Sequence, residues 1–313
     1  MLKIAFIFPG QGSQYVGMGK ALYNKYDLAQ NLFAKADDLL GYSLSRICFD
    51  GPEEELKKTG NTQPGIFVVS AIVQALLLEG GMRPEAAAGH SLGEYSALHC
   101  AGALGFEDAL HLVAERGRAM NAASENTQGA MAAVIGLETS QLREICEKCS
   151  PIGIVQIANI NSPTQLVITG EIKAVEAASE RARAAGAQRV VPLPVHGAFH
   201  SPLMHSAGQR MRQVLKDATI KTPNIRFINN ADAEFLTNPE DIRVSLERQI
   251  TSCVRWVESM QKLAASGIDL MVEAGPGKVL TGLARRISRD MTAYPCETPE
   301  EIEKILQEGR SSA

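Results

Sequence analysis

Apolar residues in this chain fall into two kinds of stretch that alternate along it. Short, nearly continuous runs such as Ile4-Ala5-Phe6-Ile7-Phe8, closed by Pro9-Gly10, read as strands buried on both faces. Longer stretches carry apolar residues at three- and four-residue spacing, the pattern of a helix with one inward face. After the first strand, helical patterns cover residues 17–40 and 65–78. Residues 84–88 read as a second strand, 94–101 as a helix, and 106–120 as another. Strands alternating with helices predict an α/β fold with a mainly parallel sheet.

The order then changes. Residues 130–137 read as a strand and 139–149 as a helix, followed by a hairpin of 154–160 and 165–169 around Asn161-Ser162-Pro163. A helix at 172–185 and a strand at 188–195 complete β-α-β-β-α-β, the ferredoxin-like order. We expect a ferredoxin-like subdomain at 128–196, inserted into a discontinuous catalytic domain of 1–127 and 197–313. Beyond it, residues 225–228 and 269–273 read as strands, with helices at 241–249 and 254–265. A last turn and helix begin at Gly275-Pro276-Gly277.

The most informative local pattern is Gly89-His90-Ser91-Leu92-Gly93, which stands between a strand and a helix. A serine on so sharp a turn requires neighbours two residues away that carry no Cβ. The turn lifts the hydroxyl clear of the backbone and leaves N–H groups at the helix start free for an oxyanion.

Composition removes several alternatives. With 45% hydrophobic and 21% charged residues the chain is an ordinary globular protein, and its net charge of −4 gives no reason to expect a nucleic-acid partner. No apolar run approaches the ~18 residues of a membrane span, and the first strand ends too early for a signal peptide. Six scattered cysteines suit reduced thiols in the cytoplasm. Cys146 and Cys149 form a lone C-x-x-C on a helical pattern, so no metal site is expected. Gly10-Gln11-Gly12-Ser13-Gln14-Tyr15 lacks the third glycine of a dinucleotide fingerprint. Gly275-Pro276-Gly277-Lys278 has Val272 and Val279 where a phosphate loop needs Gly and Ser or Thr. No cofactor is expected.

A nucleophilic serine needs a base. An esterase of the hydrolase type would place its histidine late, yet the last histidine here is His205. His196, His200 and His205 cluster where the insert hands the chain back, and spacing does not choose among them. Arg116 shares a helical stripe with Ala109, Leu112, Val113 and Met120. A cation on an apolar stripe must meet an anion, either an internal carboxylate or a ligand.

Across nearly its whole length the chain resembles the malonyl-CoA:acyl carrier protein transacylases. The resemblance rests on Phe8-Pro9-Gly10-Gln11-Gly12-Ser13-Gln14, Asn61-Thr62-Gln63-Pro64, Gly89 to Tyr95, Gly197-Ala198-Phe199-His200-Ser201, Gln249-Ile250-Thr251-Ser252 with Val254-Arg255-Trp256, and Glu273-Ala274-Gly275-Pro276-Gly277. It implies an α/β-hydrolase-like core with a ferredoxin-like insert, and ping-pong malonyl transfer from malonyl-CoA to acyl carrier protein for fatty-acid elongation. It makes Ser91 the nucleophile, His200 the base and Gln249 its main-chain support. It also places the oxyanion at the N–H groups of Gln11 and Leu92. Arg116 is implied to hold the malonyl carboxylate, and Phe199 to select malonyl over bulkier groups. His196 becomes a bystander. Lys278, Arg285 and Arg289, with Arg286 adjacent, are expected on one face of the last helix as a docking patch for an acidic carrier. The alternatives are a serine esterase or thioesterase on the same elbow, a polyketide malonyltransferase, or an inactive acyl-binding module.

Overall fold

Each residue of Ile4–Phe8 is buried, because this strand lies at the centre of a parallel sheet with helices on both sides. The computed structural model describes residues 2–195 and 197–311. In chain order the first part comprises β1 (Ile4–Phe8), α1 (Lys20–Lys25), α2 (Asp27–Leu40), α3 (Leu44–Asp50), α4 (Glu53–Lys57), α5 (Thr59–Glu79), β2 (Ala86–Gly89), α6 (Gly93–Cys100) and α7 (Phe106–Glu125). The middle part is β3 (Gly129–Ile135), α8 (Thr139–Cys149), β4 (Val155–Ser162), β5 (Gln165–Glu171), α9 (Ile172–Ala184) and β6 (Arg189–Pro192). The last part is α10 (His205–Asp217), β7 (Arg226–Ile228), α11 (Pro239–Gln249), α12 (Trp256–Ala265), β8 (Leu270–Ala274), α13 (Val279–Ile287), β9 (Ala293–Cys296) and α14 (Pro299–Ser311).

The larger sheet has the order β7-β2-β1-β8-β9, with every pair parallel. Alternate β1 residues face opposite sides: Phe6 and Phe8 join the larger core, while Ala5 and Ile7 pack with Trp256, Met260 and Leu283. The second sheet, β4-β5-β3-β6, is antiparallel and draws all its strands from residues 129–192. Its own apolar layer lies against α8 and α9. The second sheet is tied to the segment before α12 at Val254, whose N–H donates to the Ala158 carbonyl and whose carbonyl accepts from the Ile160 N–H.

Several elements depart from expectation. The pattern over residues 17–40 is two helices, because Tyr26 is extended (φ −124°, ψ 124°) and turns the chain between them. α5 begins at Thr59 and carries Pro64 inside it. It is long and apolar enough to cross a membrane, but most of it is buried within the protein beside α7. α3, α4, α10, β9 and α14 were not expected, so the helix after Gly275-Pro276-Gly277 is not the last.

The β1–β2 pairing brings the end of β1 beneath the turn that follows β2. A Cβ on Gly93 would lie 2.2 Å from the Phe8 carbonyl oxygen, and one on Gly89 would lie 1.8 Å from that of Gly93. Both obstacles are backbone and cannot rotate away. Gly93→Ala should therefore destabilise the fold by at least the about 1–3 kcal/mol typical of overpacking. Gly282, inside α13 with open space around its Cβ position, should do the opposite: Gly282→Ala should stabilise by about 0.5–1 kcal/mol. Urea unfolding midpoints of the two variants test the pair. Equal shifts would mean that the glycines act through chain flexibility alone.

Candidate active site

Ser91 sits on the turn between β2 and α6 in the left-handed region (φ 54°), a costly place for a side chain with a Cβ. The surrounding groups hold it there. Its N–H donates to Asn230 Oδ1 at 2.7 Å, and its carbonyl accepts from Gln249 Nε2 at 2.8 Å. Asn230 Nδ2 also donates to the Gly89 carbonyl at 2.7 Å, so one side chain clamps both sides of the elbow.

The Ser91 hydroxyl lies 2.8 Å from His200 Nε2. His200 Nδ1 is 2.9 Å from the main-chain carbonyl of Gln249, an oxygen that only accepts. Nδ1 therefore carries the proton, and Nε2 presents a lone pair to Ser91. His200 is buried and also left-handed (φ 60°), and its own carbonyl accepts from Gln156 Nε2 of the second sheet at 2.8 Å. Burial, and then the Arg116 charge, lower its pKa to about 3, so the ring is neutral at pH 7. Of the other two candidates, His205 is exposed at the start of α10, and His196 lies outside the described residues.

Arg116 on α7 is 1% exposed. Among the described residues, its guanidinium meets no carboxylate directly. Nη1 donates to Gln63 Oε1 at 2.7 Å, and Nη2 donates to Gln249 Oε1 at 2.9 Å and to the Ser91 hydroxyl at 3.0 Å. The Tyr95 ring lies 5.8 Å from the guanidinium carbon. Behind Gln249 stands Glu94, wholly buried in the first turn of α6. Its Oε2 accepts from Gln249 Nε2 at 2.8 Å and from the Asn230 N–H at 3.0 Å. Burial pushes the Glu94 carboxyl up to about 7, against the pull of those two donors and of Arg116. Sequence reasoning assigned no role to Gln63, Glu94 or Asn230, nor any to the Gln249 side chain. The available signal was polar residues within otherwise apolar elements, as with Gln63 in α5.

The turn after β1 presses on the elbow, since a Cβ at Gly10 would lie 2.4 Å from the His90 carbonyl oxygen. Among the described residues, the N–H groups of Gln11 and Leu92 meet no protein acceptor. His90 itself bonds Asn161 at 2.8 Å and packs edge-on against Trp256. Phe199 is nearly buried and belongs to the larger core. Cys146 and Cys149 are buried free thiols on α8.

The expected basic patch needs correction. α13 stops at Ile287 because Ser288 is extended (φ −153°, ψ 141°), so Arg289 lies beyond the helix and does not continue its face. Arg286 hydrogen-bonds Gln165 at the start of β5, while Lys278 and Arg285 are exposed.

Comparison with known proteins finds similarity over almost the whole chain. A family model described as an acyl transferase domain matches residues 5–298. A malonyl CoA-acyl carrier protein transacylase of Bacillus subtilis is 45% identical, over 98% of this chain and 97% of its own. One from Escherichia coli K12 is 42% identical, over 98% of this chain and all of its own. The solved transacylase of Coxiella burnetii superposes with a TM-score of 0.95 at 37% identity, covering 98% of this chain and 97% of that one. A malonyl-transacylase solved in complex with a type II polyketide acyl-carrier protein also gives 0.95, at 39% identity, covering 98% and 99%.

The buried, neutral His200 has a consequence for stability. Its folded pKa lies below its unfolded value of about 6.5, so between the two the unfolded chain binds more protons. Stability contributed by this group is complete above pH 6.5 and is lost as pH falls towards 3. Between pH 6.5 and 5 the loss should be about 1–2 kcal/mol. A His200→Asn variant should lack that share of the acid sensitivity. Urea titrations of both proteins at the two pH values measure it, and parallel losses would show that His200 titrates normally.

Proposed function

The chain belongs to the malonyl CoA-acyl carrier protein transacylases of the acyl transferase family, and we propose that Ser91 carries the malonyl group between two thiols. The observation behind this is the 2.8 Å contact from the Ser91 hydroxyl to His200 Nε2, with Nδ1 occupied by a carbonyl. Ser91 Oγ attacks the thioester carbonyl of malonyl-CoA while its proton passes to Nε2. The N–H groups of Gln11 and Leu92 receive the oxyanion. Collapse of the tetrahedral adduct breaks the C–S bond, and the departing CoA sulfur takes the proton from His200. The carrier's phosphopantetheine thiol then gives its proton to Nε2 and attacks the ester. Ser91 recovers the proton as the malonyl thioester leaves. The scheme needs no cofactor. The Gln249 carbonyl takes the place that a carboxylate holds in a triad, supporting the imidazolium without a full charge.

Arg116 binds the malonyl carboxylate in this scheme, because its charge is held only by neutral oxygens. Phe199 narrows the space for bulkier acyl groups. The exposed Lys278 and Arg285, with Arg286 beside them, steer an acidic carrier to the mouth. The acceptor is a fatty-acid carrier in the cytoplasm. The relatives compared are transferases by name, which supports thiol transfer over the esterase alternative.

Two experiments test the scheme. Ser91→Ala should abolish labelling of the protein by radiolabelled malonyl-CoA, and His200→Ala should slow both half-reactions by roughly 10²–10⁴-fold. His205→Ala should change little. A His205 variant as impaired as the His200 variant would overturn the choice of base.

The second concerns substrate choice. Arg116→Ala removes the partner of a desolvated carboxylate, a loss of roughly 2–5 kcal/mol, so kcat/KM for malonyl-CoA should fall by about two orders of magnitude or more. Acetyl-CoA carries no carboxylate, and its transfer should hold or rise. Arg116→Lys should fall between the two. A proportional drop for both substrates would make Arg116 a structural residue.

A further inference from the structure

Arg116 is buried with no carboxylate in direct contact among the described residues. Both carboxamides that hold it must present oxygen and not nitrogen, and for Gln249 the reason is visible. Gln249 Nε2 faces two acceptors, the Ser91 carbonyl at 2.8 Å and Glu94 Oε2 at 2.8 Å. Turned over, the amide would set Oε1 against a carboxylate and a carbonyl, and its NH₂ against a guanidinium. Every contact would become repulsive.

We propose that Glu94 is the positioning residue of the malonyl site. Its carboxylate locks the Gln249 carboxamide with the oxygen towards Arg116, balancing the buried guanidinium from one amide away and leaving Nε, which has no hydrogen-bond partner among the described residues, and the second N–H of Nη1 for the substrate. Direct contact would serve less well, because a carboxylate on the guanidinium would occupy the fork that the malonyl carboxylate needs. The same helix shows that alternative: Glu115, the neighbour of Arg116, pairs directly with both Arg118 and Arg210.

A purely structural role explains Glu94 poorly. Its Oε1 is buried and lacks a hydrogen-bond partner among the described residues, so the carboxylate is an expensive anchor for two N–H groups that a neutral oxygen could hold. What the carboxylate adds, once ionised above about pH 7, is charge, and Arg116 is the cation it faces through Gln249. Glu94 also reaches Ser91 through Asn230, so its loss should slow every acyl group somewhat.

The inference rests on Arg116 receiving the malonyl carboxylate. The test is a double-mutant cycle of Glu94→Gln and Arg116→Ala, with kcat/KM for malonyl-CoA and acetyl-CoA measured in each protein and folding followed by thermal melting. Glu94→Gln should lower both values, with malonyl falling about tenfold further than acetyl. In the Arg116→Ala background the same change should leave the malonyl-to-acetyl ratio where it was. Gln249→Met, which keeps the main-chain carbonyl for His200, should reproduce the narrowed preference and serves if Glu94→Gln does not fold. An unchanged ratio in Glu94→Gln or in Gln249→Met, or a further shift on top of Arg116→Ala, would overturn the proposal. An unchanged ratio in Arg116→Ala itself would overturn the underlying reading of the carboxylate site.

Discussion

A buried positive charge that touches no carboxylate among the described residues sets the terms on which this site is built. Arg116 lost its hydration when α7 packed against α5, and desolvation of an ion is repaid only by well-placed partners. The partners here are two carboxamide oxygens and a serine hydroxyl. Such dipoles hold the guanidinium in place while leaving most of its field intact. That field then acts on the neighbours: it opposes protonation of His200 and favours ionisation of Glu94. A single cation without a counter-ion in direct contact thus influences the base, its support and the anion site together.

The backbone around it is held against its preference. Ser91 and His200 both occupy left-handed conformations that cost side-chain-bearing residues of order 1–3 kcal/mol each. Each is restrained by side chains from distant segments: Asn230 and Gln249 for Ser91, Gln156 for His200. The reacting pair is therefore assembled by tertiary contacts, and neither partner is placed by its own secondary structure.

This division explains which features can be read from the chain. Helix 139–149 and the β-α-β-β-α-β order follow from local periodicity, and the observed elements follow the same order. The serine turn is legible in Gly89 and Gly93, because steric exclusion writes itself into residue identity. α10 was not expected, although Ala207, Met211, Val214 and Leu215 form a helical stripe. The choice among three histidines is not local: it depends on where a left-handed loop delivers the ring. Gln63 and Asn230 stay silent in sequence because a polar side chain in a buried element announces only that it has a partner, not which one.

Gln156 belongs to β4 of the second sheet, yet it holds the backbone of His200, and the same strand is laced through Val254 to the segment that leads into α12. The smaller sheet is thus joined to the base by hydrogen bonds as well as by covalent chain. Grafting a foreign sheet between residues 128 and 196 to alter substrate preference would exchange this support too. The grafted protein would inherit a new rate along with a new specificity, and the two could be separated only if position 156 kept its glutamine and the strand kept its register.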